Sequence, residues 1–382
     1  MQIALVTETF PPEVNGVALT LKRLVTGLGN RRHKVTVVRP RQKGEAPGGP
    51  RVHNATEGYD QWLVPGCPIP FYNSLRLGLP AGALLRRRWQ ESRPDVVHIA
   101  TEGPLGHSAL KTALAMGIPV SSSFHTNFQQ YGGHYGMRFG RVLAVRYLRW
   151  FHNRTACTLV PTEEMQARLS RFKFERLAVL SRGVDARLFS PSKRSDTLRK
   201  SWGAESDDPV VIHVGRLAPE KNIELAVDTY KAIRQVNPRT RFVIVGDGPK
   251  RAALEDKYPE FVYAGVRKGE ELAAYYASAD LFLFPSMTET FGNVVTEALA
   301  SGLVVAGYDY AAMRQHVQTG VNGYSVKLGD RTAFIQQGRD VVGKRGAWPQ
   351  IRAAARVTAQ TIGWDVIVAQ FETQLAGLCQ KK

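Results

Sequence analysis

Short, mostly apolar runs set apart by helical and loop sequence constrain this chain more than any other feature. Ile3–Val6, Lys34–Val38, Val96–Ile99, Val120–Phe124 and Cys157–Val160 read as strands, with a helical stretch over about 16–27 after the first. The run DVVHIA at 95–100 is apolar but for its acid and one histidine, as expected of a parallel strand buried on both faces. Strands alternating with helices imply βαβ units and a doubly wound sheet. After Val184–Asp185 a polar stretch, SPSKRSDTLRKSWGAESDD, breaks the pattern, which then restarts. Val210–Val214, Arg241–Val245, Leu281–Phe284 and Val304–Ala306 read as strands and Asn222–Gln235 as a helix. The expected class is α/β, with two Rossmann-like doubly wound domains over 1–188 and 189–362, and a helix, Trp364–Leu378, in the remaining 363–382. Open sheets of this kind bind ligands at the carboxyl ends of their strands, here in a cleft where the domains face each other.

A length of 382 residues, 43% apolar and 22% charged, suits two domains that need no staples. Cys67, Cys157 and Cys379 fall in no metal-ligand or CxxC spacing, which speaks against a zinc site or a disulfide framework and fits a reducing cytoplasm. The opening MQIALVTETFPP lacks the marks of a signal peptide, and no apolar run approaches the ~18 residues of a membrane span. Charge is less ordinary. Residues 1–190 carry 26 basic and 12 acidic side chains, a net of +14, which leaves +4 for the rest. A basic half calls for an anionic partner: nucleic acid, a membrane surface or an acidic substrate. An arginine-rich solvated surface is the plainer alternative.

The residues that carry chemistry sit where strands end. In the segment from Phe284 to Glu297, FPSMTETFGNVVTE, Gly292 and Asn293 suit a tight turn into a helix that runs to Ala300 and stops near Gly302. A helix start past a strand end offers free N–H groups and a positive dipole end, a seat for a diphosphate. Glu289 falls before that helix and Glu297 inside it, so the two can address different hydroxyls of one extended ligand. By itself a Glu-x7-Glu spacing is more readily an accident of composition than a site. The loop VGRLAPEKN supplies Arg216 and Lys221 as cations for a diphosphate leaving group; the bland alternative is an Arg216–Glu220 ion pair and a surface Lys221. In the first half, Asn15 and Gly16 follow strand one, where a glycine admits a phosphate. This is not GxGxxG, and Arg39 stands where an NAD site wants an acid. His125 ends a strand in SSSFHT, as a crevice residue or as a satisfied structural histidine.

Taken together, TETFPPEVNGV, FHT, SRGVD, VGRLAPEKN, VGDGP and PSMTETFGNVVTEALASG resemble glycosyltransferase family 4, the retaining enzymes of GT-B architecture. The resemblance runs along nearly the whole chain, and its last block is the most specific. It implies that Gly16 contacts the donor diphosphate, His125 positions the transferred sugar, and Arg216 and Lys221 stabilise the departing diphosphate. It implies that Glu289 holds sugar hydroxyls beside the Phe291, Gly292, Asn293 and Val294 backbone, and that Glu297 binds the ribose. Asn15, Gly215 and Gly248 belong to the same donor set. The family uses no metal and no cofactor beyond its nucleotide-diphosphate sugar, in agreement with the absence of Asp-x-Asp. Its last helix crosses back to the first domain. Many members have Gly-Gly at Asn15-Gly16, so Asn15 either keeps the turn or touches substrate. SRGVD, with Arg182, resembles a subgroup acting on lipid-linked acceptors with GDP-mannose, UDP-glucose or UDP-sulfoquinovose.

Residues 138–154 bear on that acceptor. In helical projection Arg138, Arg141, Arg146 and Arg149 share one arc, and Phe139, Leu143, Tyr147, Trp150 and Phe151 the next. Such a helix suits an anionic membrane surface, at the inner face of the cytoplasmic membrane, or else its aromatic arc is core. Arg86–Arg88, Arg31, Arg32 and Lys34 add to the basic character. A nucleic-acid-binding protein would leave the carboxylates and strand-end loops idle. A sugar-nucleotide epimerase, a phosphorylase, a transferase to a soluble or polysaccharide acceptor and a nucleotide-sugar binder without turnover are the closer rivals.

Overall fold

The computed structural model describes residues 1–13, 15–42, 44–45, 52–54, 58–69, 72–125 and 138–380, with backbone alone for 52–54, 69, 72–75 and 138–141. The chain divides into two compact units, one of Met1–Arg182 with Trp364–Lys382, the other of Gly183–Gly363.

In the first unit, β1 (Gln2–Val6), β2 (Lys34–Pro40), β3 (Val52–Asn54) and β4 (Tyr59–Val64) precede a hairpin of β5 (Gly66–Ile69) and β6 (Tyr72–Gly78). Then come β7 (Val96–Ile99), β8 (Val120–Ser123), β9 (Cys157–Val160) and β10 (Leu177–Val179). The main sheet runs β10-β9-β8-β7-β1-β2-β4-β3, parallel except where β3 pairs with β4. β1 lies between β7 and β2, with Ile3 beside both Val96 and Val35, so its apolar run is covered on both faces. The lone histidine of DVVHIA is a satisfied core group. His98 bonds Ser121 Oγ at 2.9 Å through Nδ1 and Ser123 Oγ at 3.0 Å through Nε2. Alternation along β8 sends Ser122 the other way, to His152 Nδ1 at 2.9 Å.

The helix Gly16–Asn30 buries Leu21, Leu24, Val25 and Leu28, one stripe at helical spacing. Helix Trp364–Cys379 fills the same core with Ile367, Val368, Phe371 and Leu375. Contact is close enough that a Cβ on Gly27 would lie 2.5 Å from Val368 Cγ2. Glu372 fastens the pair, meeting Arg31 at 2.8 Å and His33 at 2.6 Å.

The second unit holds β11 (Val210–Val214), β12 (Arg241–Val245), β13 (Val262–Gly265), β14 (Leu281–Phe284), β15 (Val304–Tyr308) and β16 (Tyr324–Val326). Its parallel sheet runs β13-β12-β11-β14-β15-β16, with an apolar core on each face. β11 and β14 adjoin at the centre, where the strand order reverses, so the loops that leave them emerge side by side. Beneath the sheet sits a buried charge cluster that composition does not announce. Asp280 accepts from Arg199 Nη1 at 3.0 Å and from the Val210 N–H at 2.9 Å, and Arg199 also donates to the Asp208 carbonyl at 2.6 Å. Removing one member strands a buried charge. Asp280→Ala is therefore expected to cost about 3–5 kcal/mol in urea unfolding. A loss under about 1 kcal/mol, the range of exposed pairs, would contradict the buried geometry.

Candidate active site

The loops that leave β11, β12 and β14 are tied together by backbone. Leu217 N–H donates to the Asp247 carbonyl at 2.8 Å, and Lys250 N–H to the Leu217 carbonyl at 3.0 Å. A Cβ on Gly246 would meet the Gly215 oxygen at 1.9 Å, and one on Gly248 the Leu217 oxygen at 2.5 Å. Only glycine permits this approach. Pro219–Lys221 then forms a 3-10 turn, closed by Asn222 at φ 52° in the left-handed region. The Met287 N–H donates to the Glu220 carbonyl at 3.2 Å, which staples the β14 loop to this turn. Gly292, at φ 95° and ψ 62°, caps the helix Asn293–Ala300 in a conformation that costs a side chain energy. Phe291 is buried, and its carbonyl accepts from the Ala312 N–H at 2.8 Å. As at any helix start, the first N–H groups, those of Asn293 and Val294 among them, find no acceptor within the helix.

On this frame Lys221 Nζ is ion-paired with Glu289 Oε1. The two come from different strand-end loops, 68 positions apart in sequence, and neither is a surface group. Tyr310 Oη donates to the Glu289 carbonyl at 2.9 Å and fixes the loop from a third element. Arg216 pairs with Glu220 on its own turn and is exposed, the bland arrangement that its spacing allows. Lys221 is not the surface cation of that alternative. Glu297 points into a more enclosed setting, where Tyr276 Oη donates to Oε2 at 3.1 Å. Burial pushes its carboxyl up to about 7, against the pull of the tyrosine hydrogen bond. Beneath the loop, His213 donates from Nδ1 to the Leu283 carbonyl, 3.1 Å away. Burial holds it down to about 4, with the Lys221 charge a lesser cause. Tyr276, Tyr310 and His213 lie outside every motif. Tyr276 could have been flagged only by a contact across 21 residues between two helices, which a single sequence does not display.

The first unit brings its own group together. Asn15 has extended backbone, φ −146°, and its Oδ1 accepts from the Ala18 N–H at 2.9 Å while Nδ2 donates to Thr9 at 2.7 Å. It is the cap of the helix that begins at Gly16, and no unusual backbone angle is asked of it. Val14, in the same motif, lies outside the described residues, as does Thr126 of FHT. His125 lies two residues past the end of β8, and Arg182, itself buried, donates from Nη2 to its Nδ1 at 2.9 Å. An arginine is donor only, so the imidazole accepts at Nδ1 and keeps its proton on Nε2, itself buried in the fold. Burial first, and the Arg182 charge second, hold the ring well below its usual range, so it is neutral. Arg182 thus acts on His125, from inside the fold.

The helix Arg138–His152 divides its faces differently from either simple expectation. Phe151 and Leu148 are core, whereas Val142 and Leu143 are 56% and 50% exposed, with Arg146 and Tyr147 exposed beside them. Arg149 and Trp150 are half-buried. The side chains of Arg138, Phe139 and Arg141 lie outside the described residues. Among the described residues no helix is long and apolar enough to cross a membrane, and no three acidic, histidine or cysteine side chains converge as a metal set. Chemically, the second unit offers a paired cation, two carboxylates and a helix start within one group of loops. That set suits an anionic, polyhydroxylated ligand.

Residues 14–188 match the family described as Glycosyltransferase Family 4, and residues 208–343 that described as glycosyl transferases group 1. A GDP-mannose-dependent alpha-mannosyltransferase of Mycolicibacterium smegmatis is 35% identical over 317 residues, 83% of this chain and 82% of that protein. The alpha-monoglucosyldiacylglycerol synthase of Acholeplasma laidlawii is 28% identical over 370 residues, 90% of each chain. The Anabaena HepE structure, solved with UDP, superposes with a TM-score of 0.77 at 18% identity, over 99% of this chain and 100% of that one. This last likeness speaks to the fold, two Rossmann-like domains of GT-B type.

Proposed function

Since the chain belongs to glycosyltransferase family 4, we propose that it moves a hexose from a GDP- or UDP-linked sugar to a hydroxyl of a lipid-linked acceptor, with retention and without a metal or cofactor. GDP-mannose is the first donor to test, because a mannosyltransferase named for that donor is 35% identical to this chain. The lipid acceptor draws on the relative named for glucosyldiacylglycerol synthesis. The observation that carries the proposal is the Lys221–Glu289 pair, which joins two strand-end loops beside the helix that starts at Asn293.

In the proposed reaction the sugar C1–O bond to the diphosphate breaks as the acceptor oxygen bonds C1 from the same face. The acceptor proton passes to the departing diphosphate. Lys221 and Arg216 neutralise the charge that develops there, Glu289 holds sugar hydroxyls beside the Phe291–Val294 backbone, and Glu297 holds the ribose. Gly16 and the Gly215 and Gly248 turns admit the diphosphate, and His125 positions the transferred sugar. Catalysis then rests on positioning and charge stabilisation, with no protein nucleophile. The decisive experiment is melting in the presence of GDP, UDP and ADP, followed by nucleotide release with and without a glycerolipid acceptor. No shift with any nucleotide, or release indifferent to acceptor, would overturn the proposal. Activity undiminished by EDTA is the outcome expected for a metal-free site.

The exposed Val142, Leu143 and Tyr147, with Arg146 between them, support attachment at the inner face of the cytoplasmic membrane. Vesicles rich in anionic lipid should bind the protein, and about 1 M salt, where charges screen within ~3 Å, should release much of it. Equal flotation with neutral and anionic vesicles at low salt would refute attachment of this kind.

A further inference from the structure

Past the end of β15, the Tyr310 carbonyl accepts from the Met313 N–H at 3.2 Å and closes a four-residue turn. Ala311, its first central residue, has φ 51° and ψ −125°. These match a type II′ turn, whose values there are about 60° and −120°, at the position that type reserves for glycine. An alanine in this conformation is strained.

The surroundings hold the strain in place. Ala311, Ala312 and Met313 are buried. Met313 packs so closely on β15 that a Cβ on Gly307 would lie 2.9 Å from its Cε. The next turn of chain brings the His316 ring edge-on to Phe291, with centroids 5.8 Å apart and planes at 71°. Strain of this kind persists only where the structure over-determines the backbone, and it gathers at functional sites.

The turn's remaining bonds run to the donor loop. Tyr310 Oη donates to the Glu289 carbonyl at 2.9 Å, and the Ala312 N–H to the Phe291 carbonyl at 2.8 Å. In a planar trans peptide the carbonyl oxygen and the next N–H point to opposite sides. Fixing these two carbonyls therefore aims the N–H groups of Thr290 and Gly292 away from the turn. We propose that the turn Tyr310–Met313 is the positioning element of the donor loop, with Tyr310 setting the Glu289 end and Ala312 the Phe291 end. Strain at Ala311 follows from placing both donors at once. The role rests on the transferase reading and adds to it residues that act through Glu289 and Phe291.

The test combines melting with kinetics on the full chain. Ala311→Gly should raise the Tm by about 2–4 °C, because relief of strain outweighs the added freedom of the unfolded chain. Tyr310→Phe keeps the ring, loses one hydrogen bond and should lower the Tm by a similar amount. With GDP-mannose or UDP-glucose, whichever the wild type turns over, Tyr310→Phe should lower kcat roughly tenfold. Its Kd for the matching nucleotide should stay within about twofold, since Ala312 still holds the Phe291 end. The double variant Tyr310→Phe/Ala311→Gly separates positioning from stability: its Tm should return toward that of the wild type while kcat stays low. Recovery of kcat along with the Tm, or an unchanged kcat in Tyr310→Phe, overturns the positioning role and leaves the transferase reading standing. A Tm of Ala311→Gly at or below wild type overturns the strained turn without any substrate. A wild type that binds no nucleotide takes down the transferase reading, and this role with it.

Discussion

Replacing Lys221 by alanine is expected to lower turnover about 10²–10³-fold while the donor KM changes only a few-fold. That is the signature of a charge used more in the transition state than in the ground state. Lys221 is paired with Glu289, so a diphosphate has to compete with a carboxylate for the ammonium. Binding therefore gains little from Lys221. The gain comes later, when negative charge accumulates on the leaving group. Lys221→Arg keeps the charge but not its point geometry and should recover only part of the rate. Truncation also leaves the carboxylate of Glu289 without its cation in a half-buried site, so the alanine variant should melt at a lower temperature. Steady-state kinetics with saturating acceptor separate the two effects. A rise in KM with unchanged turnover would reassign Lys221 to ground-state binding.

Nucleotide affinity is expected to rise by roughly tenfold between pH 6 and pH 8, and Glu297→Gln should flatten that profile. The cause is the same burial that lifts Glu297 from 4.5 to about 7. Only the ionised carboxylate accepts freely from two ribose hydroxyls, and a hydrogen bond to a charged group contributes about 1.5–3 kcal/mol. Stability moves in the opposite sense. A carboxyl whose folded value lies above its unfolded value binds the proton more tightly when native. It contributes fully below about 4.5 and loses that contribution as pH climbs toward 7. Above 7 the buried charge costs at most about 3 kcal/mol, so Glu297→Gln should melt higher than wild type at pH 8 and alike at pH 5. An enzyme that keeps a destabilising carboxylate in a ligand site gives up stability for binding. A flat affinity profile in the wild-type protein would exclude Glu297 from the nucleotide site.

Much of this architecture is legible in the residues. The strands β7, β9, β11, β12 and β14 carry their burial as short apolar runs with at most one polar residue each, and their ends follow from the glycines and polar residues beyond. The peripheral strands escape notice because they are short or interrupted. β3, β10 and β16 span three residues each, too few to set a period, and the β5–β6 hairpin contains Pro68 and Arg76. At the site, Glu289, Lys221 and Glu297 are visible as motif members, but their partners are not. Nothing local in the sequence joins Lys221 to Glu289 or Tyr276 to Glu297; adjacency of β11 and β14 in the sheet does so for the first pair, and helix packing for the second. Asn15 reads as a turn residue and acts as a helix cap, since both uses select the same short amide. The aromatic arc of Arg138–His152 projects as a single face, yet Phe151 on it is core and Leu143 half-exposed.

The return of helix Trp364–Cys379 to the first unit has a consequence for synthesis. Ile367, Val368, Phe371 and Leu375 complete a core whose other side is made by Leu21, Leu24, Val25 and Leu28. While the ribosome is still translating Gly183–Gly363, that earlier stripe is without its cover. At ~5–20 residues per second, the delay is on the order of 10–40 s. The second unit, uninterrupted in sequence, can fold on emergence, whereas the first waits for Trp364–Cys379 to be made. Nascent chains stalled just short of residue 364 should therefore be the species that chaperones hold longest.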